Sequence, residues 1–217
     1  MTLPSGAVVR RKLQQYLDSD TEFRAVFEYT RTRLHAAPDL FAHNWEHAYR
    51  DLVNALVIGE AEGADMAIAL PAAIMHDIGY LYGGNAPTHG AIGADNLKHF
   101  LDEGKIKLPP DKFNHIRECI RTHKGNIHGE VPATLEAQVV SDADNLDKFG
   151  PVGVYQVTRS MAEFGQFAGK TITTLGRTDR EPITKTGRAL VDARRDFNLQ
   201  FANALKTAYE PYLEESA

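Results

Sequence analysis

The chain has 217 residues, and its 24 lysines and arginines against 29 aspartates and glutamates leave a formal net charge of -5. That balance argues against nucleic acid and membrane surfaces as partners, since both call for a basic footprint. Hydrophobic residues make up 43%, enough for an ordinary core, and a single cysteine, Cys119, excludes an internal disulfide and a thiolate zinc site.

The opening segment has no apolar signal core and no stretch reaches membrane-spanning length, so the expectation is a cytoplasmic protein. One domain is expected over residues 1–217, with its core at about 40–150. Apolar residues at helical spacing predict helices over residues 9–18 and 20–36, the second capped by Asp20 or Thr21 and broken by Pro38. Asn44 is a candidate N-cap for a helix from Trp45 to Glu62, which Gly63 ends. Along it Trp45, Tyr49, Leu52, Val53 and Leu56 form an apolar stripe, beside a second stripe of His47, Arg50 and Asn54.

The next helix starts at Asp65 and runs through an apolar segment to His76-Asp77, with Pro71 expected to kink it or to mark its true start. Further helices are predicted from Thr88 to Leu101, from Pro109-Pro110 to about Lys124, and from Ala133 to Lys148. Gly150-Pro151 interrupts the pattern, and a helix from Val154 to Phe164 follows. Residues 165–185 lack periodicity and read as a mobile loop. Thr186 to Tyr212 reads as a long amphipathic helix, and strand signals are weak throughout, so the fold class is all-α.

The segment from Met66 to Met75 has almost no polar face, which marks a buried helix. A buried carboxylate at its end, Asp77, is costly unless paired or bound to a metal. His47, His76, His89, His123 and Asp144 also fall on the apolar sides of their helices. Ionisable groups on the buried faces of five successive helices point to a metal site built between them. Imidazole and carboxylate donors suit Mn, Fe, Co, Ni or Zn, with Mg also open.

His47 in His-Ala-Tyr-Arg, the pair His76-Asp77, and Asp144 in Asp-Ala-Asp-Asn-Leu-Asp resemble, in that order and in a helical context, the HD superfamily of metal-dependent phosphohydrolases. The resemblance spans about residues 40–150. It implies an HD-domain helical bundle with a divalent metal held by His47, His76, Asp77 and Asp144, with Asp142 as the fallback for the last ligand. Some members of the wider family hold two metals through two further histidines, a position that His89 and His123 match. The sequence has no Gly-Tyr-Pro segment, and Lys124 follows His123 where the cyclic-dinucleotide branch has a second histidine. The small stand-alone nucleotidases and pyrophosphohydrolases are the nearer match.

These features lead to an expected metal-dependent phosphohydrolase acting on a small phosphorylated molecule, a nucleotide in the first instance. Asp77 would hold or bridge the metal and orient the attacking water. Arg50 faces the same way as His47 and could clamp phosphate, or else form a salt bridge to Asp51 or Glu46. Lys124 is a second candidate for transition-state charge. Asp147 reads as an exposed helix carboxylate, otherwise as a base or a support for the ligands. His43 is expected to pack on Trp45, with orienting the site as the alternative, and His35, His99, His115 and His128 to lie at the surface or bonded to neighbours. Lys170, Arg177, Arg180 and Lys185 are expected to be solvated, with a polyanionic substrate as the alternative. A di-iron oxygenase using the same six ligands, or a non-catalytic metal-binding sensor, are the competing readings. A homodimer is compatible with the sequence.

Overall fold

A computed structural model describes residues 3–124, 131–166, 168–177 and 181–212, and all regular structure among them is helical. The elements are α1 (Gly6–Ser19), α2 (Thr21–His35), α3 (Trp45–Glu62), α4 (Met66–Met75), α5 (His89–Glu103), α6 (Pro110–Thr122), α7 (Leu135–Leu146), α8 (Gly150–Glu163), α9 (Ala168–Leu175) and α10 (Lys185–Tyr209). Short 3-10 turns cover Ile78–Tyr82 and Glu210–Tyr212. No described helix is long and apolar enough to cross a membrane.

The helix starts follow from side chains that satisfy the free N–H groups of a first turn. Asp20 accepts from Phe23 N at 2.8 Å, and Asn44 accepts from Glu46 N at 3.0 Å and His47 N at 3.4 Å. Asp65 accepts from Ala67 N at 2.9 Å. Gly63 closes α3 in the left-handed region, at φ 78°, where a side chain would be strained.

Helix α4 is the centre of the fold. Nine of its ten residues are buried, and it packs on α2, α3, α6 and α7. That explains its lack of a polar face: only Ala67, near its start, is exposed. Pro71 sits in mid-helix without ending it. The main core joins Leu52, Leu56, Leu70, Ile74, Leu97 and Ile120 with their neighbours.

Beyond α4 the chain makes a tight turn that packs on α5. Gly79 is the contact point, since a Cβ there would run into the His89 carbonyl oxygen and come within 2.8 Å of Gly93 N. The turn therefore sets where α5 begins, and with it the position of His89.

Residues 165–185 differ from expectation. Ala168–Leu175 forms α9, which packs on α8 and α10, burying Thr171 and Leu175. Leu175 joins Val157 and Ala202 in a small second apolar cluster. Threonines and a glycine supply poor helix propensity, so tertiary contact decides this element. Residues 167 and 178–180, which belong to the same expected loop, lie outside the described residues, as does His128. Helix α8 also begins earlier than expected, at Gly150, because Pro151 fits the first turn of a helix.

Gly79→Ala is expected to force the 78–82 turn away from α5 and to cost about 1–3 kcal/mol, an overpacking penalty. Urea denaturation checks it, and a parent-like midpoint would show that the close approach is dispensable.

Candidate metal centre

Four histidines point their Nε2 atoms into one buried region, and in each case the opposite ring nitrogen explains why. Nδ1 of His76 donates to the Ala73 carbonyl at 2.8 Å, that of His123 to the Ile120 carbonyl at 2.7 Å, and that of His89 to the Asn85 carbonyl at 2.9 Å. His47 Nδ1 donates to Asp147 Oδ2 at 2.8 Å. A carbonyl only accepts, so the proton sits on Nδ1 and the neutral ring turns a lone pair inward from Nε2. This is the arrangement that orients metal-binding imidazoles.

The inward atoms fall into two groups joined by Asp77. In the first, Nε2 of His47 and His76 lie 3.3 Å apart, and each is 3.3 Å from Asp77 Oδ2. Asp144 Oδ1 is 3.8 Å from His47 Nε2. Asp51 Oδ2 is 3.5 Å from both imidazoles. In the second, Nε2 of His89 and His123 lie 3.0 Å apart, at 3.1 and 3.7 Å from Asp77 Oδ1. Donors about 2.1 Å from a cation sit about 3.0–3.4 Å from one another; the contacts among His47, His76, His89, His123 and Asp77 at 3.0–3.3 Å have that spacing, and those of Asp51, Asp144 and the His123–Asp77 pair, at 3.5–3.8 Å, are slightly wider. Ligand atoms of His47, Asp51, His76 and Asp144 all lie within 4.8 Å of one another, as do those of His76, Asp77 and His123.

The chemistry of the set fits a cation. Every inward atom is an acceptor, and Asp51 Oδ1, Asp51 Oδ2 and Asp77 Oδ2 are buried without a hydrogen-bond donor among the described residues. Lone pairs crowded in this way need positive charge between them. Without a metal the same shortage of positive charge draws protons to the cluster, and burial pushes the Asp51 carboxyl up to about 8. Burial would lower the His47 imidazole, but Asp51, Asp147 and Asp77 hold it well above its ordinary value. Burial would raise Asp77, yet His76 and His89 keep it well below the usual carboxylate range. Asp144 is held down likewise, by Lys148 and Lys124 against the effect of burial.

The structure separates Asp144 from Asp142. Asp142 accepts from Ile183 N at 2.8 Å, Thr184 N at 2.7 Å and the Thr184 hydroxyl at 2.7 Å, so it ties α7 to the start of α10. Asp144 is the aspartate in the cluster.

Three expectations need correction. Arg50 does not face the cluster's cavity. Its Nε and Nη2 grip Asp147 Oδ1 and Oδ2 at 2.7 and 2.8 Å, and Nη2 also reaches Gln156 Oε1 at 2.6 Å. Arg50 and Asp147 line a different, largely apolar cavity of about 370 Å³, between α1, α3, residues 146–152 and α10. Asp147 is 2% exposed rather than a surface carboxylate, because α3 covers it and supplies two donors. His43 is not packed on Trp45. It stacks on Tyr80 with ring centroids 4.3 Å apart, and its Nδ1 pairs with Glu163 Oε1 at 2.6 Å. It is His35 that lies beside Trp45.

The cluster opens on a cavity of about 410 Å³. Lys124, Lys148, Lys170 and Arg177 are on its wall, with His43 and Tyr80. Lys148 Nζ lies 2.5 Å from Asp144 Oδ1 and 2.8 Å from the Asp144 carbonyl. The expected Lys124 is thus at the cavity, and Lys170 and Arg177 join it because α9 folds against α8. Lys148 was not anticipated, although its place four residues after Asp144 was a usable sign.

Comparison with known proteins agrees with this geometry. Residues 44–148 match the family model described as HD domain. The chain is 28% identical to YpgQ of Bacillus subtilis over 180 residues, 76% of this chain and 83% of that protein. A Lactobacillus plantarum protein has the same fold, with a TM-score of 0.71 at 22% identity over 89% of this chain and 99% of that one. The YpgQ structure in complex with ADP superposes with a TM-score of 0.60, at 24% identity over 87% and 97%. A structure described as a predicted HD superfamily hydrolase, from an uncultured Thermotogales bacterium, gives 0.58 at 23% over 86% and 92%. Residues 44–148 thus form an HD domain, and the cluster between α3, α4, α5, α6 and α7 is its candidate metal centre.

Arg50→Ala is expected to lower stability by about 1–3 kcal/mol, since it strips donors from a buried carboxylate. Arg50→Lys should recover only part, because one ammonium cannot span both Asp147 oxygens and Gln156. Equilibrium unfolding reads both, and a parent-like Arg50→Ala midpoint would return Arg50 to a ligand-binding role.

Proposed function

We propose that the chain is a metal-dependent hydrolase of phosphate bonds in a small molecule of nucleotide type. The observation that carries this reading is the juxtaposition of the acceptor cluster with a cationic cavity wall. A bound divalent cation supplies a water of lowered pKa and polarises a phosphoryl oxygen.

The chain's own part is to position and neutralise. His47, His76, Asp77 and Asp144 would hold the ion, and His89 and His123, which also lie beside Asp77, could help to hold a second. Lys124 and Lys148 stand on the cavity side, where phosphate oxygens gather charge. Lys170 and Arg177 lie farther along the same wall and suit a second phosphate. Val157, Met161 and Phe164 offer an apolar patch to a base or sugar. Glu163 fixes the His43 ring, leaving Nε2 beside the Tyr80 hydroxyl at 3.5 Å. The YpgQ–ADP complex lends support, as it places a nucleotide on a protein of this fold.

The six-residue donor set also suits a di-iron oxygenase, but the cationic wall favours an anionic substrate. Iron content and oxygen dependence separate the two.

Chelation followed by addition of Mn, Co, Ni, Zn or Mg should abolish and then restore phosphate release from nucleotides. Full activity in metal-free protein would overturn the proposal. His47→Ala, His76→Ala, Asp77→Ala and Asp144→Ala should each abolish activity and lower bound metal. His89→Ala and His123→Ala should lower activity strongly and leave at least one ion. Elemental analysis decides the count, and equal loss of all metal in every variant would reject two separable sites.

A further inference from the structure

Asp51 stands out in the cluster because neither the family resemblance nor the phosphate chemistry calls for it. It lies one helical turn after His47 on α3 and is 1% exposed. Neither of its oxygens accepts a hydrogen bond among the described residues. They do not lean on a backbone N–H, as Asp142 does, and no guanidinium clasps them, as Arg50 clasps Asp147. Instead Oδ2 lies 3.5 Å from Nε2 of His47 and 3.5 Å from Nε2 of His76.

Those two nitrogens are the ones whose lone pairs face inward, since their Nδ1 protons are committed to Asp147 and to the Ala73 carbonyl. A carboxylate in a helix interior with nothing to accept from is among the costliest groups a fold can bury. Asn54, one turn farther on, donates to the Ala143 carbonyl and not to Asp51. A structural role would leave the orphaned oxygens unexplained, whereas a positive centre shared with His47 and His76 accounts for them.

We propose that Asp51 is a further protein ligand of the cation held by His47, His76, Asp77 and Asp144, an inference that rests on reading this cluster as a metal centre. The site then has two imidazoles and three carboxylates. A fifth protein donor exceeds the four of a closed tetrahedral zinc site, and the added oxygen shifts preference toward manganese or iron(II). It also adds negative charge on the side away from the cavity, so the face toward Lys124 and Lys148 is left for substrate.

The test is titration of chelator-stripped full-length protein with Co(II), followed by its visible absorption and by competition with a fluorescent chelator. Asp51→Asn keeps the shape and removes the charge. It is expected to bind Co(II) at least tenfold more weakly, with an altered visible spectrum, while Asp51→Glu recovers part of the affinity. Thermal melting of the metal-free proteins provides the folding check. The metal-free Asp51→Asn variant is expected to melt no lower than the parent, because it loses a buried unpaired carboxylate. Anomalous diffraction from Co(II)-loaded parent crystals needs no variant and should place an Asp51 oxygen about 2.0–2.2 Å from the ion.

Parent protein that takes up no Co(II) would overturn the metal reading itself. Parent protein that binds Co(II), with Asp51→Asn equal to it in affinity and spectrum, or with Asp51 beyond bonding distance in the crystal, would overturn only the role of Asp51.

Discussion

The structure depends on a repulsion. Nε2 atoms of four imidazoles and the oxygens of Asp51, Asp77 and Asp144 share a space from which bulk water is largely excluded, and the Nδ1 protons of those imidazoles are all committed elsewhere. Such a set is stable only around positive charge. The helices that carry it are held rigidly enough to keep the groups together. Helix α4 is buried along nearly its whole length, α3 and α7 pack against it, and the Gly79 turn presses α5 into place. A centre built on packed helices keeps its geometry better than one built on loops.

Rigidity extends one layer outward. Asp147 is bonded to His47 on one side and to Arg50 on the other, so α3 and α7 are joined directly behind the donor atoms. Glu163 does the same for His43 from α8, accepting also from Ala42 N at 2.5 Å. Asp142 anchors the start of α10. Three acidic residues outside the inward-facing donor set thus brace the walls around it, Asp147 directly on His47, Glu163 on His43 and Asp142 on the start of α10.

Cations are divided between the two sides of the cluster. Arg50 stands behind it and is spent on structure, using the planar fork that suits two carboxylate oxygens at once. Lys124, Lys148, Lys170 and Arg177 stand on the cavity side. For a molecule with net charge -5, that concentration of positive charge around one opening is a local feature that the overall balance conceals.

Periodicity and composition alone determined the all-helical class, the order of the helices through Leu146, and the presence of inward-facing ionisable groups on five of them. These follow from local rules: spacing of apolar residues, caps such as Asp20, Asn44 and Asp65, and the lack of a polar face around Ile74. The resemblance carried by His47, His76-Asp77 and Asp144 supplied the expectation of one shared centre. Tertiary structure decided what local rules do not reach. Helix α9 forms from a segment of weak propensity because α8 and α10 offer it a surface. Asp147 is buried because α3 lies over it, and Arg50 turns from the cavity because Asp147 is where it points. His43 leaves Trp45 for Tyr80 and Glu163, which are distant in sequence. Asp51, four residues after His47, had the spacing of a second inward group, but on a helix that also reads as an Arg50–Asp51 ion pair. Only the placement of His76 beside it, from another helix, shows an acceptor facing acceptors rather than a carboxylate facing a guanidinium.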